Sequence, residues 1–330
     1  MNRHFTPLAD RLAPILRCCV SVLALAAAPW SMAESDLIHR YSFNGTGGTE
    51  ATDSAGGAHG TIQPGATQAG GSVILDGSPD SWVDLPPGLI SGATISRNAV
   101  TFEAWARFGG IGTWTRLFDF GNTDGTVGSN YINLIPRGGG ESIHMSTTVG
   151  DDRIVLPGTF ANLPAAPSDP DLHIVCVFDY EGDRATLYLD GVAYGEAASF
   201  SNATLADNNF SYLGRSLYPQ WDPTLIGSIN EFRIHDGALE PLEVAASYEA
   251  GPDAPTTDAG AVTAVDLQLL DSMRLGSQTP GRILASTAGL TGAPVDVTGD
   301  LLLGFASSDE TILTVDADGV VTAVGAGTAT

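Results

Sequence analysis

From Leu37 onward the sequence runs in short apolar stretches cut by Gly, Pro, Asn and Asp. LIHRYSF, SVILDG, SWVDLP, VTFEAWARF, RLFDFG, YINLIP, LHIVCVFDY, ATLYLDG, FSYLG and INEFRIH each have the length and the β-branched or aromatic content of a strand. Asp190-Gly191, between ATLYL and VAY, predicts a tight hairpin. One helix is predicted in EPLEVAASYEAG, which carries Pro241 in its first turn and Gly251 past its end. Many short strands with frequent turns and a single helix predict an all-β chain, an antiparallel sandwich or jelly roll.

The pattern breaks in two places. Before residue 34, Arg3, Arg11 and Arg17 precede the apolar run CCVSVLALAAAPW and the small residues Ser31-Met-Ala33, which predicts a signal peptide over 1–33 and a secreted or surface-displayed protein. That run is too short to span a bilayer comfortably. GPDAPTTDAG is poor in apolar residues and reads as a linker over 251–260, leaving one domain at 34–250 and a smaller β domain at 261–330. The sequence stops at GTAT, which reads as the opening of a last strand, so a fragment of a longer protein is expected.

Charge narrows the partners. The net charge is −24 and there is no lysine, so all 14 basic residues are Arg. Such a surface repels nucleic acid and anionic membranes. With Cys18 and Cys19 in the signal segment, Cys176 is left alone within HIVCVFDY, where it reads as a small buried strand residue.

HRYSFNG…DSAGGAHGTI, GGSVILDGSPDSWVDLP, VTFEAWARF, LHIVCVFD, ATLYLDGV and GSINEFRIHDGALEPLEV, in this order, resemble the laminin G-like, concanavalin A-like jelly-roll family from about Leu37 to Gly251. The resemblance implies a two-sheet sandwich, often calcium-binding, in secreted carbohydrate-binding or adhesive proteins. AVTAVDLQLL and ASSDETILTVDADGVVTAVGAGTAT resemble the group 2 bacterial immunoglobulin-like domain, which implies a smaller β-sandwich acting as a spacer.

The concanavalin A-like superfamily includes retaining glycosidases, whose chemistry needs two carboxyl groups on one face. Their Glu-x-Asp-x-x-Glu strand is approached only by EGDRAT, with Glu181 and Asp183 but Thr186 in the last place, in a stretch that reads as a turn. Neither a Gly-x-Ser-x-Gly elbow nor a His-Glu-x-x-His zinc motif is present. Arg137, His144 and Tyr131 match no lyase spacing, and His173 reads as a packing or hydrogen-bonding residue. A non-enzymatic protein is expected.

Glu231 lies inside the strand-like INEFRIH and can be a catalytic acid, a metal ligand or half of an ion pair with Arg233 or Arg40. Asn230 and Glu231 are adjacent, so in a regular strand they face opposite ways. The resemblance brings the first-strand loop and the last strand together at one edge. It thereby implies a structural Ca²⁺ held by Asp53 and Glu231, with Asn44 or Asn230 as amide donors and loop carbonyls near Gly57 and His59. For a glycan surface the candidates are Trp114, Trp221 and Tyr218, aromatic residues beside turns, whereas Trp105 and Trp82 read as packed. The expected partner is an extracellular polysaccharide or glycoconjugate, or a surface or matrix protein. A spacer without glycan affinity and an accessory module of a polysaccharide-degrading enzyme remain as alternatives.

Overall fold

A computed structural model describes residues 35–110, 112–139, 142–147, 153–159, 171–198, 208–270, 272–298, 305–316 and 319–329. The expected signal segment, with Cys18 and Cys19, lies outside the described residues. The described chain divides into two compact units, one of residues 35–260 with 289–292 and one of 261–288 with 293–329.

The first unit begins with β1 (Asp36–Tyr41), β2 (Glu50–Ala51), β3 (Gly60–Ile62), β4 (Ala66–Ala69), β5 (Ser72–Asp76), β6 (Val83–Leu85), β7 (Ala99–Gly110) and β8 (Phe118–Thr123). It continues with β9 (Gly128–Ile135), β10 (Ser142–Thr147), β11 (Arg153–Thr159), β12 (Leu172–Asp179), β13 (Arg184–Leu189), β14 (Val192–Ala198), β15 (Phe210–Leu213), β16 (Ile226–Asp236) and the helix α1 (Pro241–Ala250). Among the described residues these strands form two eight-stranded antiparallel sheets. The first runs β14-β13-β12-β7-β16-β5-β4, with β1 also on β16, and the second runs β11-β10-β9-β8-β15-β6-β3-β2. The chain switches sheets repeatedly, as from β5 to β6 and from β7 to β8, which is a jelly-roll sandwich.

Alternation decides which side chains meet between the sheets. Phe102 on β7 is the hub: its ring stacks on Phe118 of the second sheet at 4.4 Å and meets Phe120, Phe178 and Phe232 at 5.3, 6.1 and 6.2 Å. Cys176 joins this core, and burial pushes its thiol pKa up, so it is a packing residue. The β13–β14 hairpin turns at Asp190 (φ 49°) and Gly191 (φ 79°), the left-handed pair that Asp-Gly predicted.

β16 departs from strict alternation. Its register against β7 shifts between Ile229 and Glu231, leaving Asn230 as a bulge. Ile229 and Phe232, three residues apart, therefore both face the core, and Glu231, Arg233 and His235 all turn outward. That outer face is covered by α1. Glu243 accepts the N-cap backbone N–H of Glu240 at 2.9 Å, and Val244 packs with Val175, Val177, Tyr188 and Leu239.

In the second unit, among the described residues, Val262–Gln268, Arg282–Thr287 and Val295–Asp296 form one antiparallel sheet. Gln278–Pro280, Val320–Ala323 and Leu313–Val315 form another. Met273, Leu313, Val321, Ala323 and Ala329 make its small core. No helix of the described residues is long and apolar enough to cross a membrane.

Candidate functional site

The outer face of the second sheet is built from residues that alternate with the core. Strand register aligns them in one row across the sheet, Thr61, Asp84, Tyr212, Asp119, Asn133 and Ser146. Asn133 Nδ2 donates to Asp119 Oδ1 at 3.1 Å. Along β9, Tyr131 and Ile135 flank Asn133 on the same side.

Asp119 anchors the loop that crosses this face. Its Oδ2 accepts the Leu217 N–H at 2.9 Å and faces Arg116 Nε at 3.2 Å. Arg116 Nη2 reaches Asp222 at 3.1 Å, and Ser216 Oγ donates to the same Asp222 Oδ2 at 2.7 Å. Burial raises the Asp119 carboxyl against the opposing pull of Arg116, the Leu217 N–H and Asn133. The loop is thus clamped at both ends of Leu217–Asp222.

Two of the three aromatics singled out from sequence stand directly on this face, and the third stands beside them. Tyr218 packs on Tyr131 with centroids 6.0 Å apart and donates its hydroxyl to the Gly128 carbonyl at 3.0 Å. A Cβ on Gly128 would lie 2.7 Å from the Tyr218 ring, so only glycine permits this approach. Trp114, at φ 70°, meets His144 edge-on at 5.5 Å. Trp221 follows Tyr218 in one turn, its N–H donating to the Tyr218 carbonyl at 3.0 Å, and its side chain is 73% exposed. Trp82 and Trp105 are packed, as predicted. Tyr131 and His144 also share the face, but four residues of β9 separate their levels, about 13 Å at the strand rise, which is too far for one proton-transfer site.

Glu231 resolves into an ion pair. Arg40 Nε donates to its Oε1 at 2.7 Å and Arg40 Nη2 to its Oε2 at 3.0 Å, while Arg233 Nε also bonds Oε1. Hydrogen bonding to Glu231 raises the Arg40 pKa further. On the same outer face Glu103 accepts from His173 at 2.9 Å, and from Arg233 and His235 at 3.2 Å each. Burial alone would raise the Glu103 carboxyl, but bonds from His173 and His235 hold it well below the usual range. His173 also lies against Trp105 at 4.4 Å, the packing and bonding role its context predicted.

The two carboxylates expected to hold calcium, Asp53 and Glu231, are engaged by donors of the protein itself. Asp53 Oδ1 accepts the N–H groups of Arg40, Ala55 and Gly56, and Oδ2 binds His39 Nδ1 at 2.7 Å and the Ala58 N–H at 2.9 Å. These donors hold its pKa down although burial opposes them. Arg40 lies between Asp53 and Glu231, giving its N–H to one and its guanidinium to the other. Both oxygens of Asp53 already take two or three donors, and two guanidinium groups neutralise Glu231, so a cation gains little at either carboxylate. Asn44 Nδ2 donates to Asp253 at 2.7 Å, and Asn230 sits in the β16 bulge with its Oδ1 buried and without a hydrogen-bond partner. His59 supplies its ring Nδ1 as acceptor to the Asp53 N–H. Among the described residues no cluster of three His, Cys, Asp or Glu side chains is placed to hold a metal.

Residues 76–245, just over half of the chain, match the family described as the concanavalin A-like lectin/glucanases superfamily. The chain belongs to that superfamily. Among solved structures, domain 4 of AbnA, a GH43 extracellular arabinanase from Geobacillus stearothermophilus in complex with arabinotriose, is similar at 26% identity and TM-score 0.47, covering 64% of this chain and 98% of that one. Trypanosoma rangeli sialidase in complex with sialic acid is similar at 15% identity and TM-score 0.48, over 72% of this chain and 36% of that one. No curated protein matches the sequence.

Within this concanavalin A-like sandwich, the residues that sequence reasoning passed over are Glu103, Asp119, Asn133 and Arg116. Glu103, in VTFEAWARF, and Asp119, in RLFDFG, are lone carboxylates inside apolar strands, a visible signal of buried pairing. Arg116 lies in the same segment as Asp119, but the other partners of both carboxylates come from other strands and loops, and no spacing within one segment names them.

Proposed function

We propose that the first unit is a secreted or surface-displayed, non-enzymatic carbohydrate-binding module, with an extracellular polysaccharide or glycoconjugate as its partner. Trp221 carries this reading: a large, exposed indole on a loop fixed to the sheet by Asp119, Arg116 and Tyr218. A rigid exposed ring offers stacking area to a sugar with little ordering cost. Trp114 and Tyr218 extend the surface to either side of the Asp119–Asn133–Ser146 row.

Binding is favoured over turnover by the carboxylates of this face. Asp84 and Asp119 lie two strands apart, about 9.5 Å at the usual strand spacing. That separation suits an inverting pair. Asp119 is fully buried, however, and both its oxygens are engaged in holding the loop. The second unit is assigned the role of an immunoglobulin-like spacer, on the sequence resemblance of its C-terminal half.

The test is affinity electrophoresis of the full chain on a panel of neutral and acidic polysaccharides. Retardation by one polymer without shortening of that polymer, weakened roughly 10- to 100-fold by Trp221→Ala, is the expected result, the loss of one stacked aromatic being worth about 1–3 kcal/mol. Shortening of the polymer, abolished by Asp84→Asn, would replace binding with hydrolysis. Failure of every polymer to retard the chain would turn the reading to protein adhesion.

A further inference from the structure

The loop after β1 closes a recess at the rim of the sandwich that the reading above does not use. The chain leaves β1, passes Phe43 at φ 48° and crosses to β2 in the other sheet through Asn44-Gly-Thr-Gly-Gly-Thr49. The recess between this loop and the edge strand β4 measures about 350 Å³. That is the lower end of the range in which small-molecule sites are found, about 300–1,000 Å³.

Gln68 forms the wall contributed by β4. It pairs in register with the core residue Val73, so its side chain points between the sheets and not to solvent. The residue as a whole is 8% exposed, and its carboxamide, which bonds no other group of the protein, opens on the recess. Two donors and an acceptor are thus turned to whatever fills the recess. The amide head lies against Gly45, where a Cβ would come within 2.8 Å of both Nε2 and Oε1. Gly45 is thus the residue that lets the loop close on the amide while leaving the recess open.

The rest of the lining selects the chemistry. Asn44 uses Nδ2 on Asp253 and keeps Oδ1, and Glu50 accepts from Thr52 through Oε1 and keeps Oε2. Thr49 and Ser42 add hydroxyls, and Phe43 adds an apolar edge. Acceptors and hydroxyls predominate, one carboxylate is present and no Arg or His lines the recess. An anionic ligand meets repulsion there with no counter-charge. A neutral polyol finds matching groups. The free carboxamide suits two adjacent sugar hydroxyls, its N–H donating to one while its C=O accepts from the other.

We propose that this rim recess binds a single neutral sugar residue, at a site separate from the aromatic outer face. Saturation-transfer difference NMR on the full chain tests it, with D-glucose, D-galactose and D-xylose as probes and D-glucuronate as the acidic comparison. The expected result is transfer to at least one neutral sugar, none to glucuronate, no change in Trp221→Ala, and affinity about tenfold weaker in Gln68→Leu, the loss of one paired polar group. Gln68→Leu replaces an unpartnered amide by an apolar side chain of similar size, so its melting temperature should not fall. As a measurement that needs no variant, the Gln68 side-chain amide resonances should shift on adding the neutral sugar.

Transfer that survives Gln68→Leu but vanishes in Trp221→Ala would place the monosaccharide on the outer face and overturn the rim site. Silence from all three neutral sugars, equal transfer to glucuronate, or unmoved Gln68 resonances would also overturn it. None of these outcomes touches polysaccharide retardation, which tests the outer face independently.

Discussion

Arg40 and Glu231 meet across β1 and β16 in a two-point ion pair, Nε to Oε1 at 2.7 Å and Nη2 to Oε2 at 3.0 Å, with the Glu231 side chain fully buried. Removing one charge of a buried pair strands the other, at a typical cost of about 3–5 kcal/mol. Glu231→Gln should therefore lower unfolding stability by about that amount in urea titrations. Polysaccharide retardation per folded molecule should stay unchanged. Loss of retardation in a fully folded Glu231→Gln protein would return Glu231 to the ligand site.

Calcium removal should change nothing at this edge. Asp53 is saturated by N–H donors and Glu231 is neutralised by Arg40 and Arg233, so melting curves in excess calcium and in chelator should coincide. A rise in melting temperature with calcium that Asp53→Asn removes would show that a metal displaces those donors.

The Glu103 carboxyl sets a pH dependence. Its folded pKa lies below its unfolded value, so its stabilising contribution is complete above the unfolded value, about 4.3, and is lost as pH falls toward the folded one. Asp53 acts in the same direction. Asp119, raised by burial, acts in the opposite one. The informative quantity is therefore a difference. Glu103→Gln should be markedly less stable than the native chain at pH 7, and the gap should narrow as pH drops below about 4. Denaturant midpoints at pH 7, 5, 4 and 3 measure it, and a constant gap would argue against a charged Glu103.

The Asp119 anchor links the core to the proposed glycan surface. Asp119→Ala should free the Leu217–Asp222 loop, and the affinity gained from Trp221 should weaken although Asp119 does not touch the sugar. Tryptophan fluorescence anisotropy and electrophoretic retardation, read on the same preparation, check both halves. Unchanged affinity with a mobile Trp221 would show that loop rigidity is not what the surface uses.

The bulge at Asn230 sets the parity of β16. Deleting Asn230 would put Ile229 and Phe232 on opposite faces and drive either the core or the charged network to the wrong side. No cooperative thermal transition is expected from that variant, whereas Asn230→Gly, which preserves the extra residue, should fold.

That bulge also shows how far the sequence could be read. Apolar residues at 229, 232 and 234 depart from a spacing of two between the first pair, and this irregularity was already visible in GSINEFRIH. Under regular alternation Asn230 and Glu231 face opposite ways, but the register shift turns Asn230 into an unpaired extra residue and lets Glu231, Arg233 and His235 share one face. Trp114, Trp221 and Tyr218 were legible because turn residues beside an aromatic ring predict a loop position. Their convergence on one face was not, because it depends on Asp119 and Arg116 holding a loop about a hundred residues away in sequence.

The sequence by itself determined the strands, the Asp190-Gly191 hairpin, the capped helix and the antiparallel sandwich, because these follow from local periodicity and turn chemistry. It also carried the superfamily, through an ordered set of strand motifs. Only the tertiary structure decided what the buried carboxylates do. A carboxylate's role depends on which donors reach its lone pairs, and those of Glu103, Asp119 and Glu231 come largely from other strands and loops, while Asp53 adds His39 and Arg40 of β1 to the N–H groups of its own loop. For Asp53 and Glu231, backbone N–H groups and arginines took the places that a metal would need.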